Sequence, residues 1–151
     1  MRDPDRRPRT LLHEGLKAAL PAALLSGLPS TIHALLRRRD PLEASAAAGS
    51  ILLPREQRRP ALLLAAIPVH VSLSAAWAVL LAATLPRENP LAEGTLAGIA
   101  IAAIDLGLVG RRVPRIAALE PGPQIADHIA FGIIVALTLT YPRSASSTSR
   151  R

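Results

Sequence analysis

Four long apolar blocks dominate the chain, at residues 15–36, 61–85, 91–110 and 124–141, and short polar connectors divide them. Each block is close to the ~20 residues that a helix needs to cross ~30 Å of hydrocarbon. Apolar residues come in continuous runs rather than at helical period through polar sequence, which is the pattern of membrane spans. The pattern predicts an all-α polytopic transmembrane bundle of four spans, one domain over 15–141. Residues 1–10 are charged and broken by proline, and 143–151 are low in complexity; both read as disordered tails.

The first span holds Pro21 and Pro29 and is the least regular. Proline is tolerated in membrane helices where neighbours satisfy the freed carbonyl. Two of them leave open a re-entrant helix here. The long connector 37–60 contains the apolar segment 42–53, bracketed by Pro41 and Pro54. It is too short to span and reads as a short interfacial or packed helix.

Composition sharpens this picture. Net charge is +7, Lys17 is the only lysine, and the arginines cluster at 37–39, 58–59 and 111–112, against the ends of the apolar blocks. That placement suits topology signals and phospholipid contact. Aromatic residues make up only 2% of the chain, too few for base-stacking surfaces, so nucleic acid is not an expected partner. The lipid bilayer is, together with a homo-oligomer or a membrane partner protein. With no cysteine, thiol catalysis and thiolate metal sites are excluded. With four full crossings Lys and Arg divide evenly, nine to a side, Lys17 counted with the N-terminal segment. Charges packed against span ends weigh most. They place loops 37–60 and 111–123 in the cytoplasm of a multi-pass inner (plasma) membrane protein.

Each span carries an ionisable residue: His33, His70, Asp105, and the pair Asp127 and His128. Such groups are costly in lipid and tend to face protein or water. All five fall toward the arginine-rich ends of the spans. They also share faces with small or hydroxyl residues at helical spacing. His33 lies with Ser26 and Ser30, His70 with Ser74 and Trp77, Asp105 with Gly94, Gly98 and Ile101, and His128 with Gly132 and Val135. Gly94, Gly98 and Gly132 are the expected packing positions, where small residues let helices approach closely.

Two readings compete for the five residues. They tie helices together by hydrogen bonds, with His70 and Asp105 the first pairing expected and His128 next. Alternatively His33, His70, Asp105 and His128 form an intramembrane site that handles an ion, a metal or protons. No local spacing such as HExxH supports metal chemistry. A divalent metal, or a b-type haem between His70 and His128, is a narrow alternative, and no cofactor is expected by default. Catalysis has the least support, since a serine and a histidine on one helix make no triad.

The segments SGLPSTIHALLRRRDPLEA, VHVSLSAAW, AIDLGLVGRRVPRIAAL and QIADHIAFG resemble small uncharacterised multi-helix membrane proteins of high-GC bacteria. The resemblance covers most of 15–141 and implies a bacterial inner-membrane setting, with no role for any residue. The default function is therefore unknown, exercised through helix packing or partner contacts.

Overall fold

The computed structural model describes residues 8–141, all of it helices and their connections. The helices are α1 (Pro8–Leu25), α2 (Leu28–Leu36), α3 (Glu43–Gly49), α4 (Arg59–Thr84), α5 (Pro90–Ile104), α6 (Pro114–Ala117) and α7 (Pro121–Thr140). Among the described residues four stretches are long and apolar enough to cross a membrane: Arg9–Leu36, Arg59–Thr84, Pro90–Arg112 and Pro121–Thr140. α1 begins at Pro8, so residues 8–10, expected in the N-terminal tail, are helical. The remainder of that tail and the C-terminal tail lie outside the described residues.

Proline marks the starts of α4, α5, α6 and α7. A proline in the first turn lacks only an N–H that the helix would leave unpaired anyway. Asn89 caps α5 by accepting from the Ala92 N–H at 3.2 Å. Glu93, one turn in, accepts from the N–H groups of Arg87, Glu88 and Asn89 at 2.7–2.9 Å, closing the loop between α4 and α5.

Packing runs through two close pairs, α1 with α4 and α5 with α7, joined because α7 also lies along α1 and α2. The pairs are close because the facing residues are small. A Cβ added at Gly15 would meet the Val79 backbone at 2.5 Å. On α5, Gly94 and Gly98 face Gly132 and the His128–Ile129 backbone so tightly that a Cβ at Gly98 would sit 2.4 Å from the His128 carbonyl. The stripe of Gly94, Gly98 and Gly132 thus forms the α5–α7 seam. α3 packs on the start of α4, with Ala46, Ala47 and Gly49 buried. The core holds Ala18, Ala19, Ala22, Ala78 and Ala82 around Leu81, Phe131, Val135 and Leu139. The large apolar side chains point outward instead: Leu20, Leu24, Leu36, Leu64 and Leu96 are 66–80% exposed. Small residues inside and leucines outside is the packing of a bundle whose solvent is lipid.

The first span is broken but runs the full length of the bundle. α1 ends at Leu25, Ser26 and Gly27 turn, and α2 restarts with Pro29 in its first turn. Glu14 near the start of α1 pairs with Arg87 at one end of the bundle, and His33 near the end of α2 pairs with Glu120 at the other. A re-entrant path would have returned both to one end. The third span also departs from a regular helix. Asp105–Val109 winds as a π turn and Gly110–Arg112 as a 3-10 turn, the Gly110 N–H reaching back to the Asp105 carbonyl.

Candidate functional site

The break in the first span sets up two of the polar contacts. The last turn of a helix leaves carbonyls without intrahelical donors, and the first turn leaves N–H groups without acceptors. His70 on α4 supplies a donor: its Nε2–H donates to the Ala23 carbonyl at 2.7 Å. Asp127 on α7 supplies an acceptor, its Oδ1 receiving the Ser30 N–H of the first turn of α2 at 2.8 Å. An α7 carboxylate thus caps α2 from across the bundle, where a negative charge also suits the positive end of the helix dipole.

Asp105, at the start of the π turn, is the acceptor for two other helices. Trp77 Nε1–H on α4 donates to its carboxylate at 3.1 and 3.3 Å. His128 Nε2 on α7 lies 3.4 Å from Oδ2, both side chains about 20% exposed. The His128 ring is oriented from behind, since Nδ1–H donates to the Gln124 carbonyl at 2.8 Å. With Nδ1–H committed there, a neutral ring would turn a bare Nε2 lone pair toward the carboxylate. The contact is attractive when Nε2 also carries a proton, as an imidazolium–carboxylate pair. Asp105, Trp77 and His128 therefore tie α4, the end of the third span and α7.

At the arginine-rich end, Glu120 receives His33 Nε2–H at 2.8 Å and also pairs with Arg39. The His33 hydrogen bond, followed by Arg39, holds the Glu120 carboxyl below the usual carboxylate range. A small cavity of about 50 Å³ opens beside them, also lined by Ser30 and Gln124. In the loop before α4, Arg58 holds the Glu56 carboxyl down to about 2 through side-chain and backbone hydrogen bonds.

The expected four-residue site is thus divided. His70 is exposed at the edge of the α1–α4 contact and bonds to Ala23, so the expected pairing with Asp105 is replaced by Trp77 and His128. The reason is the break in the first span, which presents a free carbonyl within reach of His70. Asp127 precedes His128 on α7, but its hydrogen bond goes to Ser30. His33 belongs to the end of the bundle with Glu120. Among the described residues no three of His, Asp and Glu are grouped to hold a metal ion. The imidazoles considered for haem, His70 and His128, are committed to different partners.

Sequence reasoning left out Glu120, Arg87 and the role of Trp77. Trp77 was legible in principle, because a half-buried indole N–H needs an acceptor. Arg87 was not. Its guanidinium reaches Glu14 at 2.8 Å, the Ala82 carbonyl at 3.0 Å and the Leu139 carbonyl at 3.5 Å, joining α1 to the C-terminal ends of α4 and α7. Comparison with family models, with curated proteins and with solved structures finds no match to this chain.

Proposed function

We propose that this is a small multi-pass membrane protein that acts by lateral contact with another membrane helix rather than by chemistry within its bundle. His70 is the observation that carries this reading. It is the twelfth residue of the 26-residue helix α4, near mid-span, and its side chain is exposed beside Ile67 and Val71, which are 59% and 57% exposed. Its Nε2 is used, but Nδ1 has no partner among the described residues. A polar group in hydrocarbon that keeps an unpaired nitrogen is costly, and a second helix offering a donor or carbonyl would satisfy it. The inner small-residue stripe is already consumed by the α5–α7 seam, so the contact face is the outer one of α4. The chain has no cysteine, so single cysteines at Ile67, Val71 and Leu96 can be read in native membranes. Crosslinked products from Ile67 and Val71 but not from Leu96 support the proposal. Uniform lipid exposure at all three would defeat it.

The Asp105–His128 pair favours a second reading, in which protons pass through that pair alone. It requires that His128→Gln abolish proton movement in sealed vesicles while the bundle stays folded.

Loops 37–60 and 111–123 lie at the same end of the bundle, and we assign that end to the cytoplasm of a bacterial inner membrane. Their arginines support this orientation by the positive-inside tendency.

A further inference from the structure

At the arginine-rich end, α3, the start of α4 and the segment around α6 enclose a cavity of about 240 Å³. That is some eight times the ~30 Å³ share of a liquid water molecule, room for a small polar group. Its floor is apolar, made by Leu62 and the alanines of α3; its rim is charged, with Arg59 and Arg115 beside Asp40 and Glu43.

Both guanidiniums are held by neighbours that share the lining, Arg59 by Asp40 and Arg115 by Gln57, and keep donors in hand. Arg59 Nη2 pairs with Asp40. Arg115 Nη2 donates to Gln57 Oε1 at 2.8 Å and to the Glu56 carbonyl at 3.3 Å. Each guanidinium has five N–H groups, so each retains N–H donors beyond that nitrogen. Paired arginine forks of this kind match the oxygens of a phosphate. Glu43, across the rim, stands in the first turn of α3 and has no ion-pair partner among the described residues. The cavity thus offers a place for a negative group and one for a positive group.

We propose that this cavity binds a zwitterionic phosphoethanolamine group, its phosphate on Arg59 and Arg115 and its ammonium on Glu43, presented by a phospholipid of the bilayer. Depth favours the lipid as the source. Arg59 is the first residue of one membrane-length stretch and Arg115 lies just beyond the Arg112 end of another, which puts the cavity at headgroup level. The inference rests on the chain spanning a bilayer and is independent of the α4 contact proposed above.

The test uses the whole protein in nanodiscs of phosphatidylcholine alone or mixed with phosphatidylethanolamine or phosphatidylglycerol, with retained lipid counted by native mass spectrometry. Phosphatidylethanolamine should be retained over the other two. Arg115→Gln should cut that retention about tenfold, the scale of one lost charge-assisted hydrogen bond. Glu43→Gln should shift the preference toward phosphatidylglycerol, since it removes the ammonium partner and leaves the phosphate pair. Helical circular dichroism checks the fold of each variant. If Arg115→Gln fails to fold, Glu43→Gln still reads the preference, because Glu43 anchors no neighbour. Equal retention of the three lipids, or a preference that neither substitution changes, overturns the proposal. Protection from melting by O-phosphoethanolamine or inorganic phosphate without any lipid preference would assign the cavity to a soluble phosphate and overturn the lipid assignment.

Discussion

Two arginines adopt left-handed backbone conformations, Arg38 at φ 54° and Arg87 at φ 71°, and they make opposite predictions. Arg38 follows the end of α2, where the Arg39 N–H reaches the Ala34 carbonyl and the Arg38 N–H the Leu35 carbonyl. This is the Schellman ending, which ordinarily favours glycine. Its side chain has no partner among the described residues, so Arg38→Gly should leave stability unchanged or raise it by up to about 1 kcal/mol. Arg87→Gly relieves the same strain but removes the guanidinium that joins α1, α4 and α7, and should lower the melting temperature in detergent. Asp105 gives a second contrast. Asp105→Asn should couple with Trp77→Phe and with His128→Gln, by about 0.5–2 kcal/mol in double-mutant cycles. With His70→Ala it should be additive, because His70 binds Ala23. Glu120 sets a pH dependence. Its carboxyl is held below the usual range in the folded chain, so folding is favoured above the ordinary carboxylate pKa and that contribution disappears as pH falls through the lowered one. The melting temperatures of wild type and Glu120→Gln should therefore differ near neutral pH and converge in acid. A gap that widened in acid would reverse the sign. The effect is small because the pair is exposed.

Among the elements, α5 and α7 show how directly a sequence pattern can become a seam. Gly98→Leu places a side chain where even a Cβ would lie 2.5 Å from Ile129 Cα, so the helices must separate, at a cost of about 2 kcal/mol or more. Ile99→Leu lies on the half-exposed face and should change the melting temperature little. Equal losses would mean that the seam is not the one described. This part of the fold was legible because spacing alone fixes which residues share a helix face. The five ionisable residues were legible as residues, although His70 stands near the middle of α4 rather than with His33 at the end of the bundle. Their partners were not. His70 takes Ala23 and Asp127 takes Ser30 because the first span breaks at Ser26–Gly27. Two prolines signalled irregularity there, but not which carbonyl and which N–H would be set free. The π turn at Asp105 was equally hidden, since no residue in 105–109 demands it.

For the whole molecule, the decisive feature is that its ends differ. One end holds loops 37–60 and 111–123, with Arg37, Arg38 and Arg39, Arg58 and Arg59, and Arg111 and Arg112 against the helix termini. The other holds Arg87, folded inward onto Glu14 and two helix C-termini with its side chain 16% exposed. Counted over the entire chain, Lys and Arg split evenly between the two sides, so the raw number does not orient the protein. The orientation we propose rests on where the charges stand instead. The clustered arginines stand against helix ends, where positive charge resists translocation, while Arg87 is paired with Glu14. α1 and α2 together run the length of the bundle, so the start of α1 lies at the opposite end from these loops. Single cysteines at Glu56, Glu120 and Thr84 should show it in a chain with no cysteine of its own. In intact cells a membrane-impermeant thiol reagent should label position 84 and spare 56 and 120, and permeabilisation should expose all three. Labelling of 56 and 120 from outside would invert the molecule. Labelling of 56 but not 120 would separate two loops that the Arg115 hydrogen bonds to Glu56 and Gln57 hold together, and would overturn the bundle itself.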